Sequence, residues 1–108
     1  MRKYNIPVAV LSFVAMVSVA YADTKGLAEE KQCFSCHSAD KEMGKAPAFT
    51  AIAKKYKGVA NAEVYLAQKI RDGGVGHWGP DAMPGAGARP LVSDSEAKQL
   101  VTWVLAQH

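Results

Sequence analysis

The 108-residue sequence lacks the length for a multidomain protein and has only two cysteines. Domains usually take about 100 to 200 residues, so there is room for one. With 49% hydrophobic residues, 9 glycines and 5 prolines, the composition excludes a disordered or collagen-like chain. Two cysteines cannot form the dense disulfide framework of many small exported domains. We therefore expect one small soluble domain whose core needs another source of stability.

The chain also lacks a hydrophobic run long enough to span a membrane. Its apolar stretch, residues 6–20, contains 15 residues, whereas a membrane-spanning helix needs about 20. The basic start Met1-Arg2-Lys3, this stretch, and Ala20-Tyr21-Ala22 follow the order of a secretory signal peptide. We predict cleavage after Ala22, so that residues 1–22 are the signal peptide and residues 23–108 form a domain that works outside the cytoplasm.

A strong excess of charge of one sign is absent as well. Without Arg2 and Lys3, 11 basic side chains remain against 10 acidic ones. This balance argues against a general nucleic-acid or membrane-surface binder. We expect neither nucleic acid as a partner nor stable membrane insertion.

The two cysteines fall within the sequence Cys33-Phe34-Ser35-Cys36-His37. This C-x-x-C-H pattern is typical of covalent haem attachment. Each thiol can form a thioether with one vinyl group of the same porphyrin, and the next residue can bind the iron. A redox dithiol would need a βαβ context, and a tetrahedral zinc site would need a fourth ligand. We predict one haem c, linked by two thioethers, with His37 on its iron; the haem would also fill the core.

The sixth iron ligand decides between electron transfer and ligand-binding chemistry. The candidates are the methionines and histidines Met43, Met83, His77 and His108. Met43 is too near His37 along the chain to reach the opposite face of the haem, and His108 is expected to be a surface residue. Met83 lies in a loop whose glycines and prolines can hold a thioether in place. We predict Met83 as the ligand, with His77 as the alternative.

Helical patterns are present along the chain and strand patterns are absent. We expect a short helix over about 24–31, a second helix ending at Gly58, and a third from an Asn61 N-cap to Gly73. Ser93 and Glu96 form a predicted capping box for the last helix. On that helix we expect an apolar stripe of Ala97, Leu100, Val101, Val104 and Leu105, with Trp103 packing on a neighbouring element. Residues 73–90 would form a long loop.

With these motifs, the chain resembles the small class I bacterial cytochromes c of the c-551 type. The resemblance covers nearly all of the mature chain. It rests on the haem motif and on Ala46-Pro47-Ala48-Phe49, Leu66-Ala67-Gln68-Lys69-Ile70, Trp78-Gly79-Pro80, Met83-Pro84, Val92-Ser93-Asp94 and Trp103-Val104-Leu105. It implies an all-α fold with about four helices around one haem, and a soluble periplasmic electron carrier. Ala28 stands where the family commonly has a large apolar residue.

The resemblance also implies three further cofactor-binding residues. The Pro47 carbonyl would accept a hydrogen bond from the His37 ring, which orients the imidazole. Trp78 would donate a hydrogen bond to a haem propionate. Lys69 would pair with a propionate where the family often has arginine.

We therefore predict a monomeric electron carrier with no enzymatic activity. Its partners would be redox proteins: a donor such as a membrane cytochrome complex, and an acceptor such as a nitrite reductase or terminal oxidase. The expected docking patch covers residues 82–88, rimmed by Lys31, Lys45 and Lys54. Two alternatives are a haem-based sensor with a labile or His77 sixth ligand, and a permanent electron-relay subunit.

Overall fold

The described part of the protein is all-α, as predicted. The computed structural model describes residues 3–5, 16–44, 46–74, 82–85 and 87–108, with the backbone alone for residues 16–22. Within these ranges the elements are α1 (Met16–Glu30), a short 3-10 helix η1 (Cys33–Ser35), α2 (Phe49–Tyr56), α3 (Ala62–Asp72) and α4 (Asp94–Leu105). No helix in the described ranges is both long enough and apolar enough to cross a bilayer.

Helix α1 is longer than predicted. We expected a helix starting near Thr24, but α1 begins at Met16 and runs across the predicted cleavage point without a break. Ala20 and Ala22 are strong helix formers, and no proline or glycine lies between Met16 and Thr24. Ala28 is fully buried in one core cluster with Leu100 and Val104. Although its side chain is small, Ala28 packs α1 against α4.

Helix α4 begins with the predicted capping box. The Ser93 hydroxyl accepts a hydrogen bond from the Glu96 backbone N–H at 3.1 Å, and the Glu96 carboxylate accepts one from the Ser93 N–H at 2.9 Å. That N–H holds the pKa of Glu96 below its usual range. Four residues of the predicted apolar stripe are buried, namely Ala97, Leu100, Val101 and Val104. The sequence pattern therefore identified both the start and the buried face of α4.

Helix α3 begins and ends at the predicted residues. Gly73 follows it with a positive φ of 73°, and its N–H donates to the Lys69 carbonyl at 2.8 Å. Asn61 precedes the helix, but its side chain makes no capping hydrogen bond. Its backbone is left-handed, with φ 61°, a conformation that asparagine tolerates better than most residues. Asn61 therefore occupies the predicted N-cap position, but its side chain does not cap the helix.

An aromatic cluster joins η1 to the helices. Trp103 on α4 is 5% exposed, and its ring lies 5.2 Å from that of Phe49 and 6.0 Å from that of Phe34. The Phe34 and Phe49 rings are 5.5 Å apart and nearly perpendicular. Edge-to-face pairs of this kind add stability beyond the burial of apolar area. The cluster confirms that Trp103 packs on neighbouring elements, and it anchors the segment that contains both cysteines.

The capping box yields a stability prediction. Ser93→Ala removes the acceptor of the Glu96 N–H, and we expect it to lower the free energy of unfolding by about 1 kcal/mol. Ser95→Ala is the matched control, because Ser95 is exposed and its hydroxyl contacts the Gln99 amide at 3.4 Å. Chemical denaturation of the haem-loaded proteins measures both. Equal stabilities for the two variants would contradict the assigned role of Ser93.

Candidate haem site

A cavity of about 820 Å³ lies between the helices and the Met83 loop. Such a volume is in the range of sites for small molecules and cofactors. Six of the predicted site residues line it together: Cys33, Cys36, His37, Pro47, Lys69 and Met83. The remaining predicted residue, Trp78, and the alternative ligand His77 lie outside the described residues. The fold thus places residues from distant parts of the chain around one space.

Both cysteines lie on a single tight turn. The His37 N–H donates to the Cys33 carbonyl at 3.0 Å, and the Cys36 N–H approaches the same oxygen at 3.3 Å. The two cysteines form no disulfide, and Cys33 is half-buried whereas Cys36 is exposed. Burial raises the pKa of the Cys33 thiol, and the positive charge of Arg89 opposes that increase. Two thiols on one turn at the cavity wall suit attachment to a single porphyrin.

The His37 ring is held in one orientation. Its Nδ1 atom lies 2.7 Å from the Pro47 carbonyl oxygen. Because a carbonyl can only accept, Nδ1 carries the hydrogen and Nε2 keeps its lone pair for a metal. Burial lowers the pKa of His37, although the bond to Pro47 acts in the opposite direction. The ring also stacks on Phe49, with centroids 5.0 Å apart. The structure therefore favours the neutral imidazole that a metal requires.

Met83 is fixed to the end of α3 by backbone pairing. Its N–H donates to the Gly74 carbonyl at 2.7 Å, and the Gly74 N–H donates back at 3.1 Å. Two glycines allow this approach, since a Cβ at Gly73 would overlap with the Met83 carbonyl and one at Gly85 would overlap with the Asp72 carbonyl. Residues 83–85 therefore pack closely against the end of α3, and this contact holds the Met83 side chain at the cavity.

The other candidate ligands are placed less favourably. Met43 also contacts the cavity, but it is 44% exposed and follows His37 closely along the chain. His108 is exposed and does not line the cavity. Within the described part of the chain, no three residues among His, Cys, Asp and Glu could together hold a metal ion. This gives no support to a zinc site there.

The polar residues of the cavity that the sequence analysis did not predict include Tyr56, Tyr65 and Arg89. The Tyr56 and Tyr65 rings are 5.9 Å apart, and burial raises the pKa of Tyr56, with the hydrogen bond to Tyr65 contributing. Lys69 Nζ lies 5.3 Å from the centre of the Tyr65 ring. The spacing of four residues between Tyr65 and Lys69 indicated a shared helix face. No local pattern places Tyr56 or Arg89 at the same cavity.

Among the described residues, the charged side chains that line the cavity have one sign. They are the cations Lys69 and Arg89, and no described carboxylate lines the cavity. The rest of its wall is largely apolar, with contributions from Phe49, Leu66, Ile70, Leu100 and Val104. A haem combines a large apolar ring with two carboxylates. The cavity therefore fits the predicted cofactor in polarity as well as in size.

One expected docking lysine is not free. Lys31 Nζ donates to the Leu91 carbonyl at 2.7 Å and lies 3.5 Å from the Glu96 carboxylate. Its side chain is only 13% exposed, because it connects the end of α1 to the start of α4. The prediction that Lys31 rims a docking patch is therefore wrong. Lys54 is exposed, and Lys45 lies outside the described residues.

The known proteins that this chain resembles include several small cytochromes c. The family model for cytochrome c matches residues 21–107. Cytochrome c-551 of Pseudomonas aeruginosa is 42% identical over 106 residues, covering 94% of this chain and 97% of the relative. Cytochrome c-552 of Hydrogenobacter thermophilus is 40% identical over 97 residues, covering 89% of this chain and 92% of the relative. The crystal structure of wild-type Nitrosomonas europaea cytochrome c552 matches with a TM-score of 0.70 and 37% identity, covering 78% of this chain and 99% of that one.

The seating of the Met83 loop yields a second prediction. Gly85→Ala places a Cβ against the Asp72 carbonyl, so we expect residues 83–85 to move away from α3. Overpacking of this kind costs about 1 to 3 kcal/mol, measured by chemical denaturation of the haem-loaded protein. Gly26→Ala is the control, because no atom lies within 4 Å of the added Cβ and alanine favours a helix. A Gly85→Ala variant as stable as Gly26→Ala would contradict the close packing.

Proposed function

The chain belongs to the cytochrome c family and carries a covalently bound haem c for electron transport, and we propose that it is a periplasmic one-electron carrier with His37 and Met83 as iron ligands. The observation that carries this proposal is that His37 and Met83 line one cavity with both cysteines. When bound, the haem supplies an iron that alternates between the ferric and ferrous states. The polypeptide holds the ligands and limits access to the metal.

The fixed positions of both proposed ligands support a carrier rather than a sensor. His37 is held by Pro47 and by the Phe49 ring, and Met83 by its pairing with Gly74. Ligands held in this way can keep nearly the same geometry in both oxidation states, which keeps reorganisation small. With both axial positions taken, no position remains for an external ligand. Ligation by methionine also raises the reduction potential.

The proposed propionate contacts remain those of Lys69 and Trp78. Lys69 is half-buried and lines the cavity beside Tyr65. A lysine can neutralise a carboxylate, but it lacks the two-pronged geometry of arginine. We therefore assign Lys69 an electrostatic contribution and Trp78 the directional hydrogen bond.

Electron exchange requires a docking surface, and we assign it to the Met83 loop. Ala82, Pro84, Gly87 and Ala88 are exposed around the half-buried Met83. A small apolar surface of this type suits short-lived contacts between redox proteins. The proposed partners are a donor such as a membrane cytochrome complex and an acceptor such as a nitrite reductase or terminal oxidase.

Export is supported by the sequence of the first 22 residues. A basic start, a short apolar run and an A-x-A site together direct a chain through the secretory pathway. Haem attachment to a domain that begins at Asp23 would then occur outside the cytoplasm. Mass spectrometry of the protein purified from the periplasm tests this, with Asp23 as the expected first residue.

The ligand assignment yields a third prediction. Met83→Ala should lower the reduction potential and allow the reduced protein to bind carbon monoxide, because one axial position is opened. His77→Ala is the matched control and should leave the potential and the carbon monoxide resistance unchanged. Potentiometric titration and visible spectra of the oxidised and reduced proteins measure both effects.

The results also separate the competing functions. An unchanged spectrum and potential in Met83→Ala would remove Met83 from the iron, and a loss of the native spectrum in His77→Ala would assign the position to His77. Rapid binding of carbon monoxide to the unmodified protein would instead indicate a sensor.

A further inference from the structure

Arg89 places a cation in the wall of the haem cavity. Its guanidinium Nε donates to the Pro84 carbonyl at 3.1 Å. The Nη2 atom is buried and has no hydrogen-bond partner among the described residues. No carboxylate in the described part of the chain lines this cavity. Among the described residues, this positive charge therefore has no counter-ion at the haem site.

Such an arrangement is costly in a folded protein. The positive charge of the guanidinium makes its partial withdrawal from water unfavourable. A buried polar atom without a hydrogen-bond partner is destabilising, and native structures contain few such atoms. Arg71 shows the usual solution on the surface, since it pairs with the Asp94 carboxylate. The position of Arg89 therefore needs an explanation that ordinary packing does not give.

The field of Arg89 reaches the haem cavity, because its side chain lines that cavity together with Cys33 and Cys36. Because part of the guanidinium is withdrawn from solvent, salt and water screen it less than a surface charge. A porphyrin attached to Cys33 would lie within the same field.

We propose that Arg89 is a potential-setting residue, whose fixed positive charge favours the ferrous haem. The inference rests on the proposed carrier function. Reduction adds one electron, supplied by the donor protein, and lowers the charge of the iron and its porphyrin by one. A nearby cation stabilises that reduced state relative to the oxidised state. Arg89 thereby increases the tendency of the protein to accept an electron, without binding the iron.

The test compares three variants of the haem-loaded protein. Arg89→Gln removes the charge, Arg89→Lys retains it, and Arg71→Gln removes the same charge from a site outside the cavity. At the effective dielectric constant of about 20 that suits protein sites, a unit charge about 10 Å away changes an equilibrium constant by about tenfold. We therefore expect Arg89→Gln to lower the reduction potential by about 59 mV, the one-electron equivalent of a tenfold change. Arg89→Lys should keep most of the potential, and Arg71→Gln should change it little.

Salt provides a second measurement. The difference between Arg89→Gln and the unmodified protein should persist at high ionic strength, whereas any small effect of Arg71→Gln should vanish. Arg89→Met, which buries no new polar group, replaces Arg89→Gln should that variant fail to take up haem.

Two results would overturn the proposal. An unchanged potential in Arg89→Gln would mean that a haem carboxylate neutralises the guanidinium. An equal decrease in Arg89→Gln and Arg89→Lys would mean that the Pro84 hydrogen bond, rather than the charge, matters. Neither result bears on the carrier function, which the carbon monoxide and Met83→Ala experiments decide separately.

Discussion

The fold depends on a cavity that its own side chains do not fill. Among the described residues, the largest fully buried side chains are Leu100 and Val101, while the cavity beside them measures about 820 Å³. Interiors of proteins are normally packed to the density of organic crystals. A haem bound in this cavity would supply much of the apolar contact that a small domain needs for stability.

Different elements around the cavity position the haem attachment segment and Met83. Aromatic contacts of Phe34, Phe49 and Trp103 hold the attachment segment against α2 and α4. Backbone pairing seats Met83 on the end of α3, where glycines permit a close approach. Each proposed ligand thus sits on backbone that packing already fixes. This explains how a short chain can hold the two proposed ligands rigidly.

The charges of the cavity wall also suit a haem. The cavity wall combines an apolar surface with the cations of Lys69 and Arg89, and the described chain contributes no acid to it. Lys69 is suited to the carboxylates of the porphyrin, whereas Arg89 lines the cavity near Met83 and donates to the Pro84 carbonyl. The two cations therefore reach the haem site from different elements of the fold.

The sequence by itself determined the chemistry and the local boundaries. The spacing of Cys33, Cys36 and His37 defines a covalent haem site, and the capping box and Gly73 mark helix ends, because these features depend on neighbours along the chain. Tertiary structure alone decided that Lys31 is tied to Glu96 and that Arg89 reaches the cavity. Such contacts join residues that are distant in sequence, and their energies depend on burial and approach distance, which no local pattern encodes.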